Sequence, residues 1–195
     1  QRDFPDRIRG VAMAVCTFAL WVGCLMMFVV LYYDKEQRFG ILGKDNKERV
    51  KRTLCYHLLA TVSGILLGFL LNLLLDFNVT NIFLYYLVII ISSNAFMAIM
   101  EFLIVNFNDV GKFIALIILV LQLAASGGTF PIETVTKCFR WLNNILPMSY
   151  TIRLIKEALI SIESNLLIKN IIVVGLLFIV FFSINIIKYI KYIED

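Results

Sequence analysis

Five apolar stretches, each long enough to cross a lipid bilayer, limit what this chain can fold into. They cover residues 11–33, 54–75, 82–105, 113–129 and 166–187. A crossing takes about 20 helical residues, and backbone groups in lipid must be hydrogen-bonded within the protein, which leaves helices or closed barrels. No alternation of apolar and polar residues indicates a barrel. The sequence predicts an all-α membrane bundle of five transmembrane helices, forming a single domain over residues 1–195.

The composition supports this class and argues against several others. The chain is 61% hydrophobic with a mean hydropathy of +0.87, which is outside the range of soluble domains. The net charge of +4 is carried mostly between the apolar stretches, so it indicates topology and not nucleic-acid binding. A single histidine and few intramembrane acids cannot assemble a catalytic set or a metal cluster. The sequence therefore predicts no enzyme, no metal and no cofactor.

The loop between the first two stretches suggests the orientation. Residues 34–53 carry seven Lys and Arg residues, whereas the 76–81 connection carries none. Because basic loops stay in the cytoplasm, we expect the N-terminus outside and the C-terminus in the cytoplasm of a plasma membrane. Summed over the whole chain, the excess of Lys and Arg on the proposed cytoplasmic side is small, so the predicted orientation rests on this loop. An outside start before five helices also predicts an upstream membrane helix and extracellular domain.

Residues 131–163 form an amphipathic segment that is expected on the outer face. Gly127 and Gly128 permit a change of direction, and Pro131 suits the first turn of a helix. Pro147 ends this first helical pattern, and a second amphipathic pattern follows. An interfacial helix pair and a re-entrant hairpin in the outer leaflet remain equally open, and a sixth crossing is less favoured.

One long stretch here resembles a known family. The sequence "LVLQLAASGGTFPIETVTKCFRWLNNILPMSYTIRLIKEAL" closely resembles the C-terminal signature of the YhgE/Pip (phage infection protein) family. That signature has a Gly-Gly-x-x-Pro turn and, about fifteen residues later, a Leu-Pro-x-x-Tyr turn. The second turn is represented here by Leu146, Pro147 and Tyr150. The resemblance extends more weakly over nearly the whole chain.

The resemblance implies more than the residues alone. The family is similar to the membrane subunits of type-2 ABC exporters, and it includes phage receptors and membrane parts of type VII secretion systems in Gram-positive bacteria. Its members have one N-terminal helix, a large extracellular domain and then five helices. The resemblance implies that this chain is the C-terminal part of such a protein, and it says little about the substrate.

A basic segment before the second apolar stretch has two interpretations. In type-2 exporters the matching loop holds a coupling helix that rests on an ATPase. The favoured interpretation is a solvated loop that touches anionic lipid headgroups, and docking to an ATPase or a secretion partner is the alternative. The chain has no phosphate-binding loop, because "GILGKDN" lacks the required spacing. The candidate residues are Lys44, Lys47, Arg49, Lys51 and Arg52.

Four polar residues inside the apolar stretches are candidate sites, since polar groups in lipid are costly. His57 and Glu101 fall at similar depth and could pair, although separate interfacial positions are favoured. Asn94 and Gln122 fall near the midplane, where hydrogen bonds between helices are favoured over the lining of a path. Such a small number of midplane polar groups slightly favours a bundle that serves as a membrane anchor over one that forms a transport conduit.

Ala60, Gly64 and Gly68 form a row of small residues along one helix face. Such rows let helices approach closely, either within the chain or across a homodimer, and the sequence does not choose between these.

The leading prediction is an ABC exporter permease-like domain of the YhgE/Pip type, acting in export across the cell envelope with no ATPase of its own. The predicted partners are the lipid bilayer and a separate ATPase or secretion subunits, and no nucleic acid. The alternative is a membrane anchor or scaffold for an extracellular domain, without conduit activity. A third is a truncated gene product.

Overall fold

The residues that the structure describes form six helices. The structure, a computed structural model, describes residues 3–39, 46–75, 81–125, 137–159 and 164–191, and no strand occurs in these ranges. This confirms the predicted all-α class. The helices are α1 (Asp3–Phe39), α2 (Asn46–Leu75), α3 (Ile82–Ala125), α4 (Lys137–Asn143), α5 (Pro147–Leu159) and α6 (Ser164–Lys191).

Four of these helices, rather than the predicted five, are long and apolar enough to cross a membrane. Their apolar parts are Gly10–Val30, Lys51–Leu73, Ile82–Ala125 and Asn165–Lys188. The difference arises at α3, which joins the two stretches predicted as separate helices over 82–105 and 113–129. At 44 residues, α3 is far longer than one crossing needs.

The helix α3 folds back on itself at Asn108, where the backbone has a φ of 49° and a ψ of −125°. Trp21 of α1 shows the reversal, because it touches both halves of α3. Its ring lies 5.1 Å from the ring of Phe96, and its Nε1 donates to the carbonyl oxygen of Ala115 at 3.4 Å. In a straight helix these two residues would lie about 28 Å apart. We call residues 82–107 the first arm and residues 109–125 the second arm.

Gly111 allows the second arm to leave the turn against the first arm. A Cβ at this position would overlap the carbonyl oxygen of Leu103 and lie 3.0 Å from the Cα of Ile104. Both are backbone atoms, which cannot move aside as a side chain does. Asparagine at the reversal is also favourable, since it tolerates positive φ better than most residues.

The helix α2 runs antiparallel to the first arm in a continuous register. A Cβ at Gly68 would lie 2.7 Å from Ile89 Cδ1, and one at Gly64 would lie 3.0 Å from Ser93 Oγ. Ala60, one turn further, is fully buried. The row of small residues is therefore used for close contact within the chain.

The two ends of the bundle differ in what they hold. The Lys51 end contains Lys51 of α2, the Asn108 turn and Lys188 of α6. Lys188 Nζ donates to Val105 O at 3.3 Å and to Asn106 Oδ1 at 2.7 Å, which places it at the end of the first arm. Cations at a helix C-terminus interact favourably with its dipole.

The opposite end, called the α4 end, is closed by the short helices. The amphipathic helix α5 buries Met148, Ile152, Ile155 and Leu159 and exposes Arg153. Its 13 residues span about 20 Å, too short for a bilayer core of about 30 Å. The second amphipathic pattern is therefore present as a helix and is not itself a crossing.

Candidate functional site

Five polar side chains from α2, α3 and α6 meet between the helices near the Lys51 end. We call them the polar cluster: Thr53, His57, Asn94, Glu101 and Asn185. Thr53 and Glu101 are fully buried, Asn185 is 1% exposed and His57 is 7% exposed. Glu101 lies seven residues before the Asn108 turn, or about 10 Å along the first arm.

The carboxyl group of Glu101 joins three helices. Thr53 Oγ1 of α2 donates to Oε1 at 2.6 Å, and Asn185 Nδ2 of α6 approaches Oε2 at 3.4 Å. Asn185 Nδ2 also donates to the carbonyl oxygen of Ala98 at 3.1 Å. Buried polar groups are costly unless they are hydrogen-bonded, and these contacts provide the bonds.

The imidazole of His57 lies between Glu101 and two aromatic rings. His57 Nε2 lies 3.8 Å from Glu101 Oε2. The rings of Phe178 and Phe182 on α6 approach the imidazole edge-to-face, with centroid distances of 5.5 and 5.1 Å. These rings cover the histidine on the side of α6.

Asn94 holds the other nitrogen of the histidine. His57 Nδ1 lies 3.0 Å from Asn94 Oδ1, and Asn94 Nδ2 donates to Thr61 Oγ1 and to Ile90 O, both at 2.8 Å. The bond to a backbone carbonyl fixes the orientation of the amide, because a carbonyl oxygen only accepts. Asn94 thus bonds across the α2–α3 contact, as the sequence interpretation favoured.

The structure corrects the favoured interpretation of His57 and Glu101. They were expected at separate interfacial positions, but the antiparallel register of α2 and the first arm brings them together. Thr53 and Asn185 were missed as site residues. Asn185 interrupts an apolar stretch, and this signal could have identified it, because a polar residue within a membrane helix is a default candidate. Thr53 gives no comparable signal.

Gln122 lies elsewhere, on the second arm. It is fully buried, and neither its Oε1 nor its Nε2 has a hydrogen-bond partner among the described residues. Ser92 and Ser149 are likewise buried without a bond from the side-chain oxygen within that part of the chain. Within the described part of the chain, Gln122 makes none of the interhelical bonds that its sequence position favoured, so that interpretation stays a prediction.

The Leu-Pro-x-x-Tyr turn lies at the α4 end and is fixed by hydrogen bonds. Leu146 is buried, Pro147 is the first residue of α5, and Tyr150 OH donates to Asn144 O at 2.5 Å. Proline suits the first helical position because its missing N–H is not needed there. Gly127, Gly128 and Pro131 of the preceding turn lie outside the described residues.

Asn143 is a further residue that the sequence did not single out. It is 1% exposed, and its Nδ2 donates to Ala125 O at 2.7 Å. Its Oδ1 accepts from Arg153, whose guanidinium lies 5.6 Å from the centroid of the Tyr150 ring. One amide therefore connects the end of α3 with α4 and α5.

We expect Asn143→Ala to destabilise the bundle by about 2 kcal/mol, because the Ala125 carbonyl and Arg153 lose their partner. The measurement is denaturant unfolding of the purified chain in detergent micelles. Asn144→Ala is the matched control, since Asn144 is exposed and contributes its backbone oxygen to the bond with Tyr150. Equal stability of the two variants would contradict the role of Asn143.

The basic segment leads directly into the polar cluster. Lys51 is exposed, Arg52 is half-buried, and the next residue, Thr53, binds Glu101. Lys44 lies outside the described residues, and for Lys47 and Arg49 only the backbone, in α2, is described. Arg52 therefore lies one residue away from a buried contact that joins three helices.

The helical bundle belongs to a known class of membrane proteins. Residues 50–160, more than half of the chain, match the family described as ABC-2 type transporter, and the chain belongs to this family. It is thus a multi-pass membrane protein with a transporter permease-like domain. The chain is also 32% identical to YhgE of Bacillus subtilis (strain 168) over 148 residues.

The similarity to YhgE confirms the resemblance proposed from the sequence and sets its extent. The aligned region covers 76% of this chain but 19% of YhgE, so the chain spans about a fifth of the length of that relative. No solved structure matches the chain.

Proposed function

We propose that this chain is the membrane domain of an exporter in the plasma membrane of a Gram-positive bacterium, driven by an ATPase on a separate chain. The family membership supports a transporter-like role. The observation that carries the finer proposal is the polar cluster, because a conduit needs polar groups from several membrane helices to converge. Its side chains come from three helices.

The proposed layout has five crossings, with the two arms of α3 counted separately. The first arm has 26 residues, or about 39 Å, and the second has 17, or about 26 Å. Both lengths suit this layout. The first arm is longer than the bilayer core and can cross it when tilted, and the length of the second arm is close to the thickness of the core. The short helices α4 and α5 then form an outer cover, with the charged side of α5 facing water. Because α5 buries its apolar face on the bundle, we favour an interfacial position.

The Lys51 end is proposed as the cytoplasmic end and as the docking place of the ATPase. Lys51 and Lys188 lie at this end, and cytoplasmic ends of membrane proteins favour basic residues. Lys51 is exposed for contact with a partner, whereas Thr53 connects it to Glu101 and thereby to α6. ATPase movement at the start of α2 would act on the cluster through this contact.

The anchor remains the second candidate, and one observation favours it. Four members of the polar cluster are almost fully buried, Asn94 is half-buried, and the five are largely bonded to each other. Polar groups arranged in this way strengthen a bundle without forming a path.

A site-specific crosslink separates the two functions. A photo-crosslinking amino acid replaces Lys51 in the full-length protein in its native membrane, and captured partners are identified by mass spectrometry. The matched control carries the same group at the exposed Arg140 of α4, at the opposite end. Capture of an ATPase at position 51 and not at position 140 is the expected result. Capture of lipid or secretion components alone would overturn the exporter in favour of the anchor.

A further inference from the structure

We infer that Gln122 is the centre of a buried water-binding site in the half of the bundle nearer the α4 end. The ligand is a neutral water molecule, which both donates and accepts hydrogen bonds. The site is separate from the polar cluster. Gln122 lies 14 residues after the Asn108 turn, or about 21 Å along the second arm, whereas Glu101 lies about 10 Å from the turn. The inference depends neither on an ATPase nor on export.

Gln122 lies on the face of the second arm that is turned into the bundle. Gly111 on this face approaches the backbone of Leu103, and Ala115 accepts from Trp21 of α1. The buried residues of the arm recur every three or four positions, as one face of a helix does, and they are Gly111, Ala115, Leu119, Gln122 and Ala125. The amide of Gln122 therefore lies among protein groups and away from lipid.

Both polar atoms of this amide lack a hydrogen-bond partner in the parts of the chain that the structure describes. Gln122 is fully buried, and this holds for its Oε1 and its Nε2 alike. An amide offers two N–H donors and an acceptor oxygen, and leaving such a group buried and unbonded is unfavourable. Buried water typically bonds to polar groups that the protein itself leaves unbonded.

Ser92 of the first arm lies at the same level of the bundle. It comes 16 residues before Asn108, or about 24 Å from the turn, compared with about 21 Å for Gln122. The two arms still run side by side beyond the turn, because Trp21 touches both of them. Ser92 is fully buried, and its Oγ has no hydrogen-bond partner among the described residues.

Ser149 of α5 is a third side chain of this kind. The start of α5 lies near the end of the second arm, since Asn143, shortly before α5, donates to Ala125 O one turn after Gln122. Ser149 is fully buried, and within the described ranges its Oγ also has no partner. A buried water molecule needs about two to four polar partners, and Gln122, Ser92 and Ser149 supply them.

The chemistry of these three side chains fits water and not an ion. Each side chain offers both a donor and an acceptor, and none of the three carries a charge. An ion would therefore bring an uncompensated charge into the bundle, which is strongly unfavourable. Water can accept from the amide nitrogen of Gln122 and donate to a serine oxygen. Water held in this way bonds the two arms of α3 to α5.

The experiment detects water beside Gln122 by solid-state nuclear magnetic resonance on the full chain in lipid bilayers. Magnetisation is transferred from water protons to the side-chain amide of glutamine. The chain carries ¹⁵N-labelled glutamine and ¹³C-labelled leucine carbonyl groups. Among Gln1, Gln37 and Gln122, only Gln122 follows a leucine, which assigns its signals in the unchanged chain. We expect transfer from water to the Gln122 amide.

Ser92→Ala is expected to remove most of this transfer, because the water molecule loses one of its partners. Ser93→Ala is the matched control and should leave the transfer unchanged. Ser93 is the next residue and is equally buried, but its Oγ already donates to Ile90 O at 3.1 Å. Absence of transfer to Gln122 in the unchanged chain would overturn the inference, and so would equal transfer in the two variants. The measurement on the unchanged chain decides the question even where a variant fails to fold.

Discussion

Gly111→Ala is expected to destabilise the bundle by about 3 kcal/mol, because the added Cβ meets backbone atoms that cannot move aside. The contacts are the carbonyl group of Leu103 and the Cα of Ile104, in the first arm just before the reversal. Relief of the overlap requires the two arms to separate at the Asn108 turn. Separation would disturb Trp21, which binds one arm through Phe96 and the other through Ala115.

The measurement is denaturant unfolding in detergent micelles, with folded yield as a second readout. Gly175→Ala is the matched control, since a Cβ at Gly175 of α6 would meet nothing within 4 Å. Gly23→Ala in α1 serves equally. Alanine has the higher helix propensity, so both controls should be neutral or slightly stabilising. A Gly111→Ala chain as stable as these controls would show that the arms do not approach closely at this point.

Glu101→Ala is expected to cost about 3 kcal/mol, because it removes a fully buried acceptor that several side chains of the polar cluster share. Thr53 Oγ1 and Asn185 Nδ2 both donate to Glu101, and His57 faces it. Individual hydrogen bonds between membrane helices contribute only about 0.6 kcal/mol. The larger expected effect comes from several buried groups losing their partner together.

Denaturant unfolding of Glu101→Ala is compared with Asp109→Ala. Asp109 lies on the same helix, its side chain is 83% exposed, and its contact is an ion pair with Lys112. Surface substitutions of this kind change stability by less than about 0.5 kcal/mol. Similar losses of unfolding free energy for the two variants would mean that the polar cluster does not hold α2, α3 and α6 together.

The sequence determined the class of this protein and showed which parts of the chain form its long apolar helices. Backbone groups in lipid must be bonded within the protein, which leaves helices or closed barrels, and the lack of alternating apolar and polar residues decided for helices. The second amphipathic pattern also gave the correct helix, because Ile152, Ile155 and Leu159 are buried while Arg153 and Lys156 are exposed. Local sequence patterns report such features because neighbours along the chain create them.

Only the tertiary structure decided which polar residues meet. His57 and Glu101 are 44 positions apart, and their contact depends on the antiparallel register of α2 with the first arm of α3. That register follows from side-chain fit at Gly64 and Gly68, which no single helix pattern reports. Asn185 and Asn143 find their partners in the same way. The apolar length of a segment determines whether it can cross a bilayer as a helix. Contacts between segments depend on the rotation and the register of each helix, and side chains from several helices determine these together.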